Sequence, residues 1–281
     1  MQRIRVLTLA CVIAVCALFG SALAADVAMT FYGNQHYKFV TPGGKTILVN
    51  PWVKGNPDWP KDLPLEDIKR VDAIFVSGGH GDDMGQADEI AKQSGATIIT
   101  LAELGGYFLQ VGVPAPQVFG VSAGGQGAIA EVRYQVVHTH HGTGYTLPNN
   151  PIRQYGGINA GYFLTFENGL RVYFASSASL TLDFQLFGSR YKPHVALLPV
   201  GGRFQMHPDD AAFAAKLLTT DNPNLKTVLP QHHRLNARSP GGPGATPEAF
   251  EAEVQKLGLA LKVLNPKIGQ TYTIASTGEI R

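Results

Sequence analysis

The sequence predicts a layered α/β protein, and three observations carry that prediction. Short β-rich runs alternate with helical patterns. Hydrophobic residues make up 44% of the chain against 16% charged, and 32 glycines with 18 prolines supply tight loops between short elements. This balance excludes a disordered tail or a coiled-coil rod. With 281 residues the chain can bury a full core, and no Ser/Pro-rich linker or repeat divides it. Residues 25–281 are therefore expected to form a single domain of about two packed layers.

The first 24 residues read as an export signal. Arg3 and Arg5 form a basic start, 6–19 is an apolar run, and Ala22-Leu23-Ala24 gives the small-x-small pattern of a cleavage site. The apolar run is shorter than the ~20 residues needed to span a bilayer. A mature protein starting at Ala25, periplasmic or secreted and without a stable membrane anchor, is the expectation. Both cysteines, Cys11 and Cys16, leave with the signal, which excludes disulfides, thiol catalysis and thiolate metal sites. Removing Arg3 and Arg5 from the 23 basic residues leaves 21, against 21 acidic ones. A neutral mature chain offers no electrostatic footprint for nucleic acid.

The elements follow in order. A strand is predicted over 30–39, leading toward a cleft that His36 would line. Thr46-Ile47-Leu48-Val49 follows the turn Pro42-Gly43-Gly44, and Ala73-Ile74-Phe75-Val76 ends at Ser77-Gly78-Gly79, so both read as buried strands. The pattern then predicts a helix over 86–93, a strand over 97–100 and a helix over 102–109. Later strands are expected at 130–137, 162–166, 171–175 and 195–199. The run 208–218 opens with Pro-Asp-Asp and continues with spaced alanines, a well-signalled helix. Val228-Leu229-Pro230 ends one more strand just before Gln231-His232-His233. The pairs Phe184/Phe187 and Tyr107/Phe108 read as core.

All nine histidines lie beyond residue 24, and five fall in two groups at predicted strand ends: His138, His140 and His141, then His232 and His233. His80-Gly81-Asp82-Asp83 follows a buried strand in the same way. Loops after strands are where α/β proteins place ligands. In a chain without thiolates, imidazole nitrogens and carboxylate oxygens gathered there form the donor set for zinc or a similar divalent ion.

Three segments together are similar to a known family: Gly44-Lys45-Thr46-Ile47-Leu48-Val49-Asn50-Pro51, the run from Val71-Asp72-Ala73 through His80-Gly81-Asp82-Asp83, and Tyr191-Lys192-Pro193-His194-Val195-Ala196-Leu197-Leu198-Pro199-Val200-Gly201-Gly202. They resemble the metallo-β-lactamase-fold hydrolases, specifically the ascorbate-phosphate-lactonase-like branch. Phe204-Gln205-Met206-His207-Pro208-Asp209-Asp210-Ala211 and Pro230-Gln231-His232 fit later motifs of that branch in the same order. The resemblance runs from about residue 31 to 269. It implies a four-layer αββα sandwich with a metal site at one edge between the sheets.

The ligand positions that the resemblance implies match in part. The family's His-x-His-x-Asp-His reads here Gly78-Gly79-His80-Gly81-Asp82-Asp83, so its first histidine is Gly78 and its last is Asp83. The mid-chain family histidine corresponds to His140 or His141, with His138 less favoured. The metal-bridging aspartate of a Gly-Asp-Thr motif falls on Ser176-Ser177-Ala178, Asn50 replaces the aspartate of a strand-end Asp-Pro, and the final histidine is retained as His232.

Two divalent ions about 3.5–4 Å apart repel strongly, and a bridging carboxylate offsets that repulsion. Ser177 carries no charge, so a two-ion site would need Asp83 or Asp183 to move in. His80, Asp82, one of His140 and His141, and His232 suffice for a single divalent ion such as zinc with an open water position. Asp82 and Asp83 are the catalytic candidates, Asp83 as oxygen ligand or general base. His233 and Tyr155 are candidate polar contacts for a small-molecule substrate. Arg203, His194 and His207 read as surface or structural residues. The competing reading is a metal-poor, non-catalytic periplasmic binding protein, because Gly78, Asp83, Ser177 and Asn50 concentrate the departures at the site and leave the scaffold motifs intact.

Overall fold

The computed structural model describes residues 25–59, 68, 70–233 and 242–281. The export-signal reading of residues 1–24, with Cys11 and Cys16, lies outside the described residues. Fourteen strands among the described residues form two sheets of seven. In chain order they are β1 (Val27–Phe31), β2 (Tyr37–Val40), β3 (Thr46–Val49), β4 (Ala73–Phe75), β5 (Thr97–Leu101), β6 (Val118–Val121), β7 (Gln126–Ile129), β8 (Val132–Leu147), β9 (Asn150–Thr165), β10 (Arg171–Phe174), β11 (Val195–Pro199), β12 (Thr227–Gln231), β13 (Lys262–Val263) and β14 (Thr271–Ile274). The first sheet runs β14-β1-β2-β3-β4-β5-β6 and the second β13-β12-β11-β10-β9-β8-β7.

The apolar runs are continuous because the central strands are buried on both faces. In β3, Ile47 and Val49 enter the core between the sheets while Leu48 packs outward; in β4, Ala73 and Phe75 point inward and Ile74 outward. In β11, Val195 and Leu197 face the shared core, and Ala196 and Leu198 face the opposite layer. Helices α2 (Ala87–Ser94) and α3 (Ala102–Gln110) cover the first sheet through Ile90, Ala91, Leu104 and Phe108. Helices α4 (Asp183–Tyr191), α5 (Pro208–Leu218) and α6 (Pro247–Lys256) cover the second through Phe184, Phe187, Ala211, Ala215 and Phe250. The result is the αββα metallo-β-lactamase sandwich. No helix among the described residues is long and apolar enough to cross a membrane.

Four features differ from the sequence expectation. The strand predicted over 30–39 is two strands, because Gly33 (φ +96°) and Asn34 (φ +53°) turn the chain and His36 N–H donates to Gly33 O at 3.0 Å. His36 does not line a cleft. It is fully buried, its ring 4.8 Å from that of Tyr32 and stacked 5.6 Å from that of Trp59. The strands expected at 130–137 and 162–166 are the ends of one long hairpin, β8 paired with β9 across 16 residues each. Its polar, Gly-rich middle has no alternating pattern to mark it. Finally, α6 was not anticipated, although Thr246 caps it by accepting from Ala249 N–H at 3.2 Å and Pro247 opens its first turn.

Candidate functional site

The chain leaves β4 through Val76 to His80 and enters α1 (Gly81–Met84), a single turn carrying Asp82 and Asp83. Gly85 ends that turn at φ +47°, donating its N–H to Gly81 O, and a Cβ there would collide with Pro51 O. The turn therefore sits tight against the chain that leaves β3.

Asp82 Oδ2 lies 3.0 Å from His232 Nε2 and accepts from Asn34 Nδ2 at 3.2 Å. His232 follows β12 with φ +56°, and its N–H donates to Asn34 O at 2.8 Å. Its Nδ1 lies 3.3 Å from Ser177 Oγ, and its Nε2 lies 3.3 Å from Gln205 Nε2. His141 meets His80 edge to face, ring centroids 5.2 Å apart. His80, Asp82, His141, His232, Gln205 and Arg153 wall a cleft of about 440 Å³. Arg153 and Tyr155 continue its rim beside His80 and His141. The ligand atoms of His80, Asp82 and Asp83 lie within 4.8 Å of one another.

Left-handed backbone concentrates at this edge: Asn34, Asn50 (φ +45°), Ser176 (φ +54°) and His232 all hold it. Such residues cost about 1–3 kcal/mol each and persist where the surroundings over-determine them, most often at functional sites.

Asp83 is fully buried. Its Oδ1 accepts from Gln35 Nε2 at 2.6 Å, from Asn50 Nδ2 at 3.2 Å and from Ser77 Oγ at 3.2 Å. Its Oδ2 has no hydrogen-bond partner and lies 4.0 Å from His80 Nδ1. Burial first, and then the charge of Asp82, push this carboxyl well above the usual range. Asn50 explains how an acid is tolerated there, since an aspartate at position 50 would put a second carboxylate where the amide now donates. Asp82 behaves oppositely: burial would raise it, but the hydrogen bond and charge of His232 hold it down at about 2. Burial, reinforced by His80 and His232, lowers His141 to about 4, and burial also lowers His80. Neutral imidazoles beside an ionised carboxylate are the protonation states a divalent ion requires of its ligands.

The structure corrects several expectations. His140 is not a donor to this cleft. Between Thr139 and Gly142 the register of β8 against β9 slips, and across that bulge His141 turns into the cleft while His140 faces Asp183. Asp183 has not moved into the bridging place either; it pairs with His138 at 3.1 Å. Asp83 is fully buried behind the cleft wall, with its carboxylate within 4.8 Å of the ligand atoms of His80 and Asp82. His233 does not reach the cleft: it is buried, its ring 6.4 Å from Phe31. Tyr155 is 72% exposed on the rim. A Cβ on Gly78 would run into Asn159 Nδ2 and Asp83 Oδ2, so the space beside Gly78 is filled. His194 is structural, its Nδ1 accepting from Arg171 N–H at 3.0 Å.

Sequence reasoning missed Asn34, Gln35, Asn159, Arg153 and Gln205. The Gly33-Asn34 pair, a turn signal inside a β-rich run, was the one available cue. Arg153 sits mid-hairpin with no local pattern.

Residues 45–233 match the β-lactamase superfamily domain, and the chain belongs to that superfamily, as a hydrolase of the metallo-β-lactamase fold. Within it, the chain is 32% identical to a UPF0173 metal-dependent hydrolase of Chloroflexus aurantiacus, over 90% of this chain and all of the relative. It is 32% identical to one from Rubrobacter xylanophilus, over 86% of this chain and 94% of the relative. Among solved structures, Igni18, a metallo hydrolase from the archaeon Ignicoccus hospitalis, superimposes with a TM-score of 0.71 at 26% identity, covering 88% of this chain and 98% of that one.

Proposed function

We propose that the cleft holds one divalent ion, zinc by its donor chemistry, and hydrolyses a small anionic ester or lactone. The donor set fits such an ion: ligand bonds of about 2.0–2.1 Å put two ligand atoms roughly 3.3 Å apart, and His232 Nε2 stands 3.0 Å from Asp82 Oδ2. That pair, in one cleft with His80 and His141, is the observation that carries the reading. Asp83 Oδ2, buried and unpartnered beside His80, gives the same site a further oxygen in reach. The bound ion supplies Lewis-acid polarisation and activation of water at neutral pH.

The chain's own residues supply the rest. Asn34 and Ser177 orient Asp82 and His232 from behind, the supporting contacts that set ligand direction. Arg153 places a guanidinium on the cleft wall, and a planar fork of donors suits a carboxylate or phosphate on the substrate. Gln205 offers an amide for the group under attack. The ascorbate-phosphate-lactonase-like branch is consistent with a substrate of this kind. We also place the protein outside the cytoplasm, on the strength of the export signal.

The filled space at Gly78 and the absence of a carboxylate at Ser177 favour a second reading, a binding protein for the same anionic ligands. A panel of carboxylated and uncharged lactones and esters, assayed with zinc-loaded protein, separates the two. Hydrolysis is expected, with KM for the anionic members rising about tenfold or more in Arg153→Gln while kcat and the neutral substrates change little. Binding of the panel without turnover would favour the second reading, and equal effects on charged and neutral substrates would remove the role of Arg153.

A further inference from the structure

A second donor set stands on the other side of the β8 bulge. His138 and His140, two residues apart on the strand, reach the same carboxylate at the start of α4. Asp183 Oδ2 lies 3.1 Å from His138 Nε2 and 3.6 Å from His140 Nε2, and the three ligand atoms fall within 4.8 Å of one another. The two rings meet at 66° with centroids 5.2 Å apart. None of these residues walls the cleft.

We propose that His138, His140 and Asp183 form a second divalent-metal site, independent of the cleft and suited to zinc, nickel or copper(II). The spacing is the first reason: 3.1 and 3.6 Å bracket the roughly 3.3 Å between ligand atoms of a tetrahedral ion. The donor chemistry is the second, because two imidazoles with one carboxylate suit these ions, whereas calcium and magnesium take oxygen sets. The third is support. Thr181 Oγ donates to Asp183 Oδ2 at 3.3 Å and accepts from Asp183 N–H, fixing the carboxylate, and Ser179 Oγ donates to His140 O at 2.7 Å, tying the chain before α4 to β8. All three donors are at least one-third exposed or nearly so, which leaves water to complete the coordination shell.

The test uses a His80→Ala/His232→Ala double variant, which removes two of the four cleft donors and leaves only Asp82 and His141, titrated with zinc chloride by calorimetry, with circular dichroism to confirm the fold. It is expected to take up one equivalent, and none once Asp183→Asn or His140→Ala is added. Wild-type protein carrying His140→Ala gives the same answer where the double variant does not fold: it is expected to bind one equivalent fewer than wild type. No uptake by the folded double variant, uptake that survives Asp183→Asn, or unchanged stoichiometry in wild type with His140→Ala would overturn the site. Because the first background has lost both His80 and His232 from the cleft, failure here leaves the cleft untouched, and failure of the cleft leaves this site standing.

Discussion

At the scale of single residues, burial decides which groups can carry charge. His36 has its ring packed against Tyr32 and Trp59, and burial lowers it from 6.5 to about 3, with the nearby Trp52 backbone opposing and Lys38 adding to the fall. A folded value below the unfolded one means that the unfolded chain takes the proton first. The stability held by the neutral ring is therefore full above about pH 6.5 and lost as pH falls toward 3, at up to about 1.4 kcal/mol per pH unit. His141 and His194, both lowered to about 4, add to the same slope. Urea unfolding at pH 7 and pH 5 should show wild type losing more stability than His36→Phe. Equal losses would mean the ring is not held neutral by the fold. Asp83 shows the same rule at the site: a buried acid is held there because Asn50, Ser77 and Gln35 all donate to one of its oxygens.

At the scale of elements, the site depends on two short irregularities. The turn of α1 carries Asp82, and Gly85 allows it to stop against Pro51. Gly85→Ala combines a left-handed backbone with a collision against a carbonyl, so a loss of about 2–4 kcal/mol and weakened zinc binding are expected together. A urea midpoint unchanged from wild type would contradict this account of the turn. The bulge in β8 is the second irregularity, and it explains why the mid-chain histidine was not legible: His140 and His141 are adjacent in sequence, and only a register slip decides which one reaches the cleft. By contrast, β3, β11 and α5 were legible to the residue, because doubly buried strands and an alanine-rich helix opening on Pro-Asp-Asp each have a local signal. Asn34, Arg153 and Gln205 come to the cleft from three distant segments, and no spacing rule links them.

At the scale of the whole molecule, the two sheets close around one core and bring the ends of β4 and β12 and the mid-strand bulge of β8 to a single edge, which is where His80, Asp82, His141 and His232 meet. The export reading predicts that protein recovered from an expressing bacterium has an intact mass starting at Ala25 and no thiol; a mass retaining Cys11 or Cys16 would contradict it. The central claim is that this edge accommodates one ion and not two, since Ser177 brings no bridging charge and the space beside Gly78 is taken by Asn159 and Asp83. The most direct measurement is zinc stoichiometry in the Asp183→Asn background, which removes the carboxylate of the site outside the cleft. One equivalent is predicted, lost in His80→Ala and in His232→Ala. Two tightly bound equivalents, or none at all, would contradict the account.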